Sequence, residues 1–117
     1  MENQLTILSE SLDKKLEVLQ KIREYNKRQE EIFSAEEVDM SLFDDAVEEK
    51  QRLIDEVVHL DEGFEIMYEK LARELEGNRE RYAAQIRELQ KKVSRVTELS
   101  VTVQAQEARN KKLIESY

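Results

Sequence analysis

Residues 5–33 read LTILSESLDKKLEVLQKIREYNKRQEEIF. In them Leu5, Leu8, Leu12, Leu16, Leu19, Ile22, Tyr25 and the pair Ile32/Phe33 recur three and four apart or in multiples of that step. That spacing places side chains on one face of an α-helix. A helix from about Asn3 to Phe33 follows, roughly 45 Å long at 1.5 Å per residue. Asn26 and Gln29 interrupt the stripe. A polar residue in a seam can fix pairing register, but here the pair reads as the place where the stripe turns outward.

Two further stripes fill the chain. Ser34 with Glu37 and Ser41 with Asp44 both fit the capping box, in which a hydroxyl accepts an orphan N–H and the acid reaches back. With Asp44 and Asp45 suiting the positive end of the helix dipole, the second helix is expected to begin at Ser41. Phe43, Val47, Leu53/Ile54, Val57, Leu60, Phe64, Met67/Tyr68, Leu71 and Leu75 form its stripe. The phase runs unbroken through Gly63, and Gly inside a helix costs only about 1 kcal/mol against Ala. The helix is therefore expected to span 41–76, with an end at Leu60 as the alternative. Gly77-Asn78 suits a stop followed by a cap. The third helix is expected over 79–116, along Tyr82, Ile86, Leu89, Val93, Val96, Leu99/Val103, Leu113/Ile114 and Tyr117.

Three such helices with short joints predict an all-α fold, an elongated antiparallel three-helix bundle of coiled-coil character forming one domain over residues 1–117. Charged residues make up 39% of the chain, so apolar residues suffice for one stripe per helix but not for a thick core. The charge is segregated: residues 1–33 carry seven acidic and six basic groups, residues 34–77 fifteen and four, residues 78–117 five and nine. Opposite charge suggests that the second and third segments lie side by side.

Several functions find no support in the composition. The apolar runs are pairs or triplets, so no membrane insertion is expected, and Met1-Glu2-Asn3-Gln4, without a basic n-region or an apolar h-region, is not expected to open a signal peptide. The chain has no Cys, which suits a reducing, cytoplasmic setting. Its basic residues are diluted by acids, which disfavours nucleic acid. Glu56-Val57-Val58-His59 matches the Glu-x-x-His element of di-iron bundles, but that site needs a second such element and His59 is the only His. No metal, cofactor, nucleophilic set or phosphate loop is indicated, and a non-enzyme is expected. Phe43, Phe64, Tyr68 and Tyr82 read as core fillers and Tyr117 as an interface residue.

The third stripe weakens after Val96: Ser100, Glu107 and Asn110 fall where apolar residues are expected. Residues 99–105 alternate like a strand and are rich in β-branched side chains. Leu99 and Val103 are therefore expected to be more exposed, or their backbone more mobile, than Leu89 and Val93.

The segment Glu49-Lys50-Gln51-Arg52-Leu53-Ile54, the joint Leu60-Asp61-Glu62-Gly63-Phe64, and Val96-Thr97-Glu98-Leu99 followed by Gln106-Glu107-Ala108-Arg109-Asn110-Lys111 resemble the FlgN family. The likeness runs from Leu5 to Ile114 and rests on helical pattern plus the polar anchors Lys50, Glu107 and Asn110. The resemblance implies a helical cytoplasmic chaperone of bacterial flagellar export. Its protein partners would be hook–filament junction proteins, held by their C-terminal helical segments, and the export gate. It implies client binding on the C-terminal helix, here around Leu99, Val103, Gln106, Asn110, Leu113 and Ile114. The alternative is a structural coiled coil that homodimerises and has no export client.

Overall fold

The computed structural model describes residues 2–116 and contains three helices: α1 (Glu2–Ser34), α2 (Met40–Leu75) and α3 (Ala83–Ser116). The expected contact of Tyr117 lies outside the described residues. The molecule measures 61 × 20 × 17 Å with a radius of gyration of 18.1 Å. A compact chain of this length would have about 13 Å, so the bundle is elongated, as the single stripe per helix demands. α1 and α2 are antiparallel, with Phe33 against Phe43 at 4.6 Å edge-to-face near the joint and Lys15 paired with Asp61 further along. α3 runs parallel to α1, since Lys92 meets Asp13 and Asn110 meets Asn26. The topology is up-down-up.

The joints differ in detail from the sequence reading. Asp39, not Ser41, caps α2: Ser41 N–H and Leu42 N–H donate to its Oδ1 at 3.0 and 3.2 Å. Its extended backbone (φ −86°, ψ 98°) aims the carboxylate at the two orphan donors. Ser34 is the last residue of α1, so it caps nothing. α2 runs through Gly63, where an added Cβ would meet nothing within 4 Å. It ends at Leu75, and Gly77 takes the left-handed conformation at φ +92°. Asn78 does not cap the third helix. Its Nδ2 donates to Glu74 O at 3.4 Å and its N–H to Leu75 O at 2.9 Å, both terminating α2. α3 therefore starts at Ala83, four residues later than expected, after Tyr82 has anchored the returning chain in the core.

Two apolar clusters hold the helices. Near the α2–α3 turn, Leu5, Leu8, Leu71 and Tyr82 are buried together. In the middle, Leu12, Val18, Leu19 and Ile22 of α1 pack with Val96, Leu99 and Val103 of α3. α2 contributes only half-buried residues there, among them Leu53, Ile54, Val57 and Leu60. Of its 36 residues only Ala46 and Leu71 are buried. The reason is geometric: α2 and α3 both lie against α1, and no Cα of α2 comes within 8 Å of one in α3. The expected side-by-side attraction of acidic α2 and basic α3 is thus not how charge is arranged. Glu56 and Asp61 of α2 pair with Lys14 and Lys15 of α1, Lys92 of α3 pairs with Asp13 of α1, and where α2 does meet α3 the signs are reversed, Lys50 of α2 pairing with Glu107 of α3.

Candidate helix-binding groove

The residues singled out on the third helix separate into two groups. Leu99 and Val103 are 9% and 8% exposed, buried against α1, whereas Val93 is 43% exposed and Leu89 is half-buried. The expected order of exposure is therefore reversed. The α1-facing seam of α3 runs along Val96, Leu99, Val103, Gln106 and Asn110, and Val93 turns away from it. Gln106 and Asn110 are buried too, Leu113 is half-buried and Ile114 is exposed. Four of the six proposed client contacts are thus occupied by the protein's own α1.

Gln106 and Asn110 belong to a polar layer. Asn26 and Gln29, expected to mark an outward turn of the stripe, are 1% and 2% exposed. They face polar partners from both neighbours. Lys50 of α2 donates to Asn26 Oδ1 (3.2 Å), Gln29 Oε1 (2.9 Å) and Glu107 Oε2 (3.0 Å), so each ammonium proton has an acceptor. Asn110 Nδ2 donates to Asn26 O at 2.9 Å, and Asn26 Nδ2 to Gln106 Oε1 at 3.4 Å. A buried amide without partners would be strongly penalised; here Asn26, Gln29 and Asn110 find theirs on neighbouring helices, while Glu107 Oε1 is buried with no hydrogen-bond partner among the described residues. Shifting one helix by a turn would orphan several groups at once, so the layer fixes register. Lys50, Glu107 and Asn110, the polar anchors of the FlgN resemblance, are brought together in it.

One open and largely apolar surface lies between α2 and α3. Because the two helices stand apart, a groove of about 550 Å³ opens near the Gly77 turn, with Leu5 and Leu8 of α1 as its floor. Phe64, Tyr68, Leu71 and Leu75 form one wall, and Ile86, Leu89 and Val93 the other. Tyr68, expected in the core, is 53% exposed and stacks on Phe64 at 5.9 Å between ring centres. The ring pair presents a flat apolar shelf at the groove's edge. Periodicity alone assigns these positions to the core. The signal that they are not wholly so is the width of the α2 stripe: Val47, Ile54, Val58 and Tyr68 extend it beyond what one neighbouring helix can cover.

Nothing in this groove resembles a catalytic set. Its polar lining consists of Arg79, Gln90 and Ser94. His59 is exposed and Glu56 is engaged with Lys14. Among the described residues no three His, Cys, Asp or Glu lie close enough to hold a metal ion, and no helix is long and apolar enough to cross a membrane. No family model matches the chain, and no curated protein or solved structure matches it.

Proposed function

We propose that this chain is a binding protein rather than a catalyst: a cytoplasmic export chaperone of the FlgN type. In this reading it holds the C-terminal helical segment of a hook–filament junction protein and passes it to the export gate. The supporting observation is the separation of α2 from α3, which leaves Phe64, Tyr68, Leu71, Leu75, Ile86, Leu89 and Val93 around an apolar trough. A client helix laid there would pack against α2 and α3 together and convert three helices into four, the helix-in-groove mode of recognition. α3 remains a client-bearing helix, but through its first half, since the second half is committed to α1. Binding of this kind needs no cofactor.

Mixing the protein with a synthetic C-terminal segment of a junction protein, followed by light scattering and circular dichroism, tests the reading. The expected result is a 1:1 complex with added helicity. If no flagellar axial segment forms such a complex, the proposal fails. A homodimeric coiled-coil scaffold is the second reading, favoured by exposed Val47 and Val58 along α2. It requires a dimer at micromolar concentration that added client leaves unchanged.

A further inference from the structure

The charges beside the groove are as unequal as its apolar walls are matched. Residues 53–69 carry six acidic side chains and no Lys or Arg. Two of the six, Glu56 and Asp61, are neutralised by α1. Glu62, Glu65 and Glu69 are exposed and form no ion pair with another described residue. No acid is among the residues that line the groove itself; helical geometry sets Glu65 about 60° around α2 from Tyr68, on the outer flank of that wall, with Glu69 and Glu62 further round the same flank. The opposite rim is different: Arg79, Gln90, Ser94 and Thr97 border the α3 wall without an acid among them. An anionic outer flank of α2 stands across the apolar floor from a neutral-to-basic rim. From Phe64 to Leu75 the trough is about 16 Å long, or three helical turns.

We propose that the α2–α3 groove takes an amphipathic helix of about three turns from a partner protein, apolar on one face and bearing Lys or Arg along the edge that rests against α2. This assignment rests on the helix-binding reading above and adds the partner's chemistry and polarity. The apolar face supplies contact with Tyr68, Leu75, Ile86 and Val93, while the basic edge meets Glu65 and Glu69. A helix entering the other way around would bring its cations to Arg79, so the rims also select direction.

Two fluorescently labelled synthetic peptides of about 18 residues, sharing one Leu/Val face, provide the probe. One carries Lys along a single edge and the other Glu. Fluorescence anisotropy against the full chain should show the Lys-edged peptide binding roughly tenfold more tightly at low salt, with the preference shrinking in 0.5 M salt. The double variant Glu65→Lys/Glu69→Lys should erase or invert the preference. Val93→Asp should abolish binding of the Lys-edged peptide, while Val101→Asp, at an exposed site off the groove, should not. Circular dichroism confirms that each variant is folded. Equal binding of the two peptides, or binding that survives Val93→Asp, overturns the inference. So does a second copy as the occupant, seen as dimerisation that Val93→Asp abolishes. A junction-protein segment tested in parallel separates the two readings. If it binds independently of Val93, Glu65 and Glu69, the chaperone stands and the groove assignment falls. If only the Lys-edged peptide binds, the reverse holds.

Discussion

Val103 and Val93 lie ten residues apart on one helix, and their environments predict opposite responses to the same substitution. Val103 is buried among Leu99, Val96 and the α1 residues Leu19 and Ile22. Val103→Asp removes an apolar side chain whose burial contributes roughly 1.5–3 kcal/mol. It also places a carboxylate where none of the apolar residues of that cluster can pair it, a penalty of a further few kcal/mol even if the group protonates. A total near 4 kcal/mol is a large share of the 5–15 kcal/mol typical of a domain. It corresponds to a fall in melting temperature of about 15 °C or more at this size. Val93 is exposed on the groove rim, so Val93→Asp should shift the melt by no more than about 2–3 °C, as surface substitutions do. The same variant should lose the client helix. Thermal denaturation followed at 222 nm, paired with peptide titration, measures both. Comparable destabilisation by the two substitutions would show that α3 is not oriented as described and that the groove is closed.

The two glycines should respond with opposite sign. Gly63→Ala fills open space inside a helix and should stabilise by about 0.5–1 kcal/mol, whereas Gly77→Ala, at φ +92°, should destabilise by about 1 kcal/mol. Urea denaturation reads both, and shifts of the same sign would contradict the assigned backbone. Lys50→Met keeps the aliphatic stem but deprives Asn26, Gln29 and Glu107 of their shared donor. A loss of about 2–3 kcal/mol is expected in the same assay, and a change below about 0.5 kcal/mol would mean that water replaces the ammonium without penalty.

The run from Leu5 to Phe33 was enough to define α1, because a three-and-four repeat over eight turns admits no other element. Continuity of α2 through Gly63 was legible for the same reason. The polar layer was not, since Asn26, Gln29, Glu107 and Asn110 each look like a flaw when their own stripe is read alone. Their meaning appears only when the chain is folded on itself. A reversal centred near residue 38 brings Asn26 level with Lys50, and one near residue 78 brings Lys50 level with Glu107. That symmetry is present in the sequence and would have flagged the cluster. The groove was legible only in part. Periodicity tells which side of α2 is apolar but not how far α3 stands from it, a distance set by the packing of both helices on α1. For the same reason Val93 and Leu99 looked alike in one stripe, although they lie on different sides of α3.

The central position of α1 bears on how the chain assembles. Links between α1 and α2 can be short in sequence, such as Lys50 to Gln29 at a separation of 21, whereas those between α1 and α3 span 79–84 residues. Closing a loop four times longer adds only about 1.2 kcal/mol of entropy, yet the contacts it closes cannot exist until α3 has been synthesised. Until then the α1 seam that α3 will cover, with Leu12, Leu19 and Asn26, stands open to water or to any other helix that fits. During synthesis the α1–α2 hairpin is therefore expected to form first and α3 to dock last, an order that limited proteolysis of stalled nascent chains would register as protection in residues 5–33 and 40–75 before residues 83–116 emerge. A bundle built around one shared helix is completed from its far end, and its largest apolar seam is the last to close.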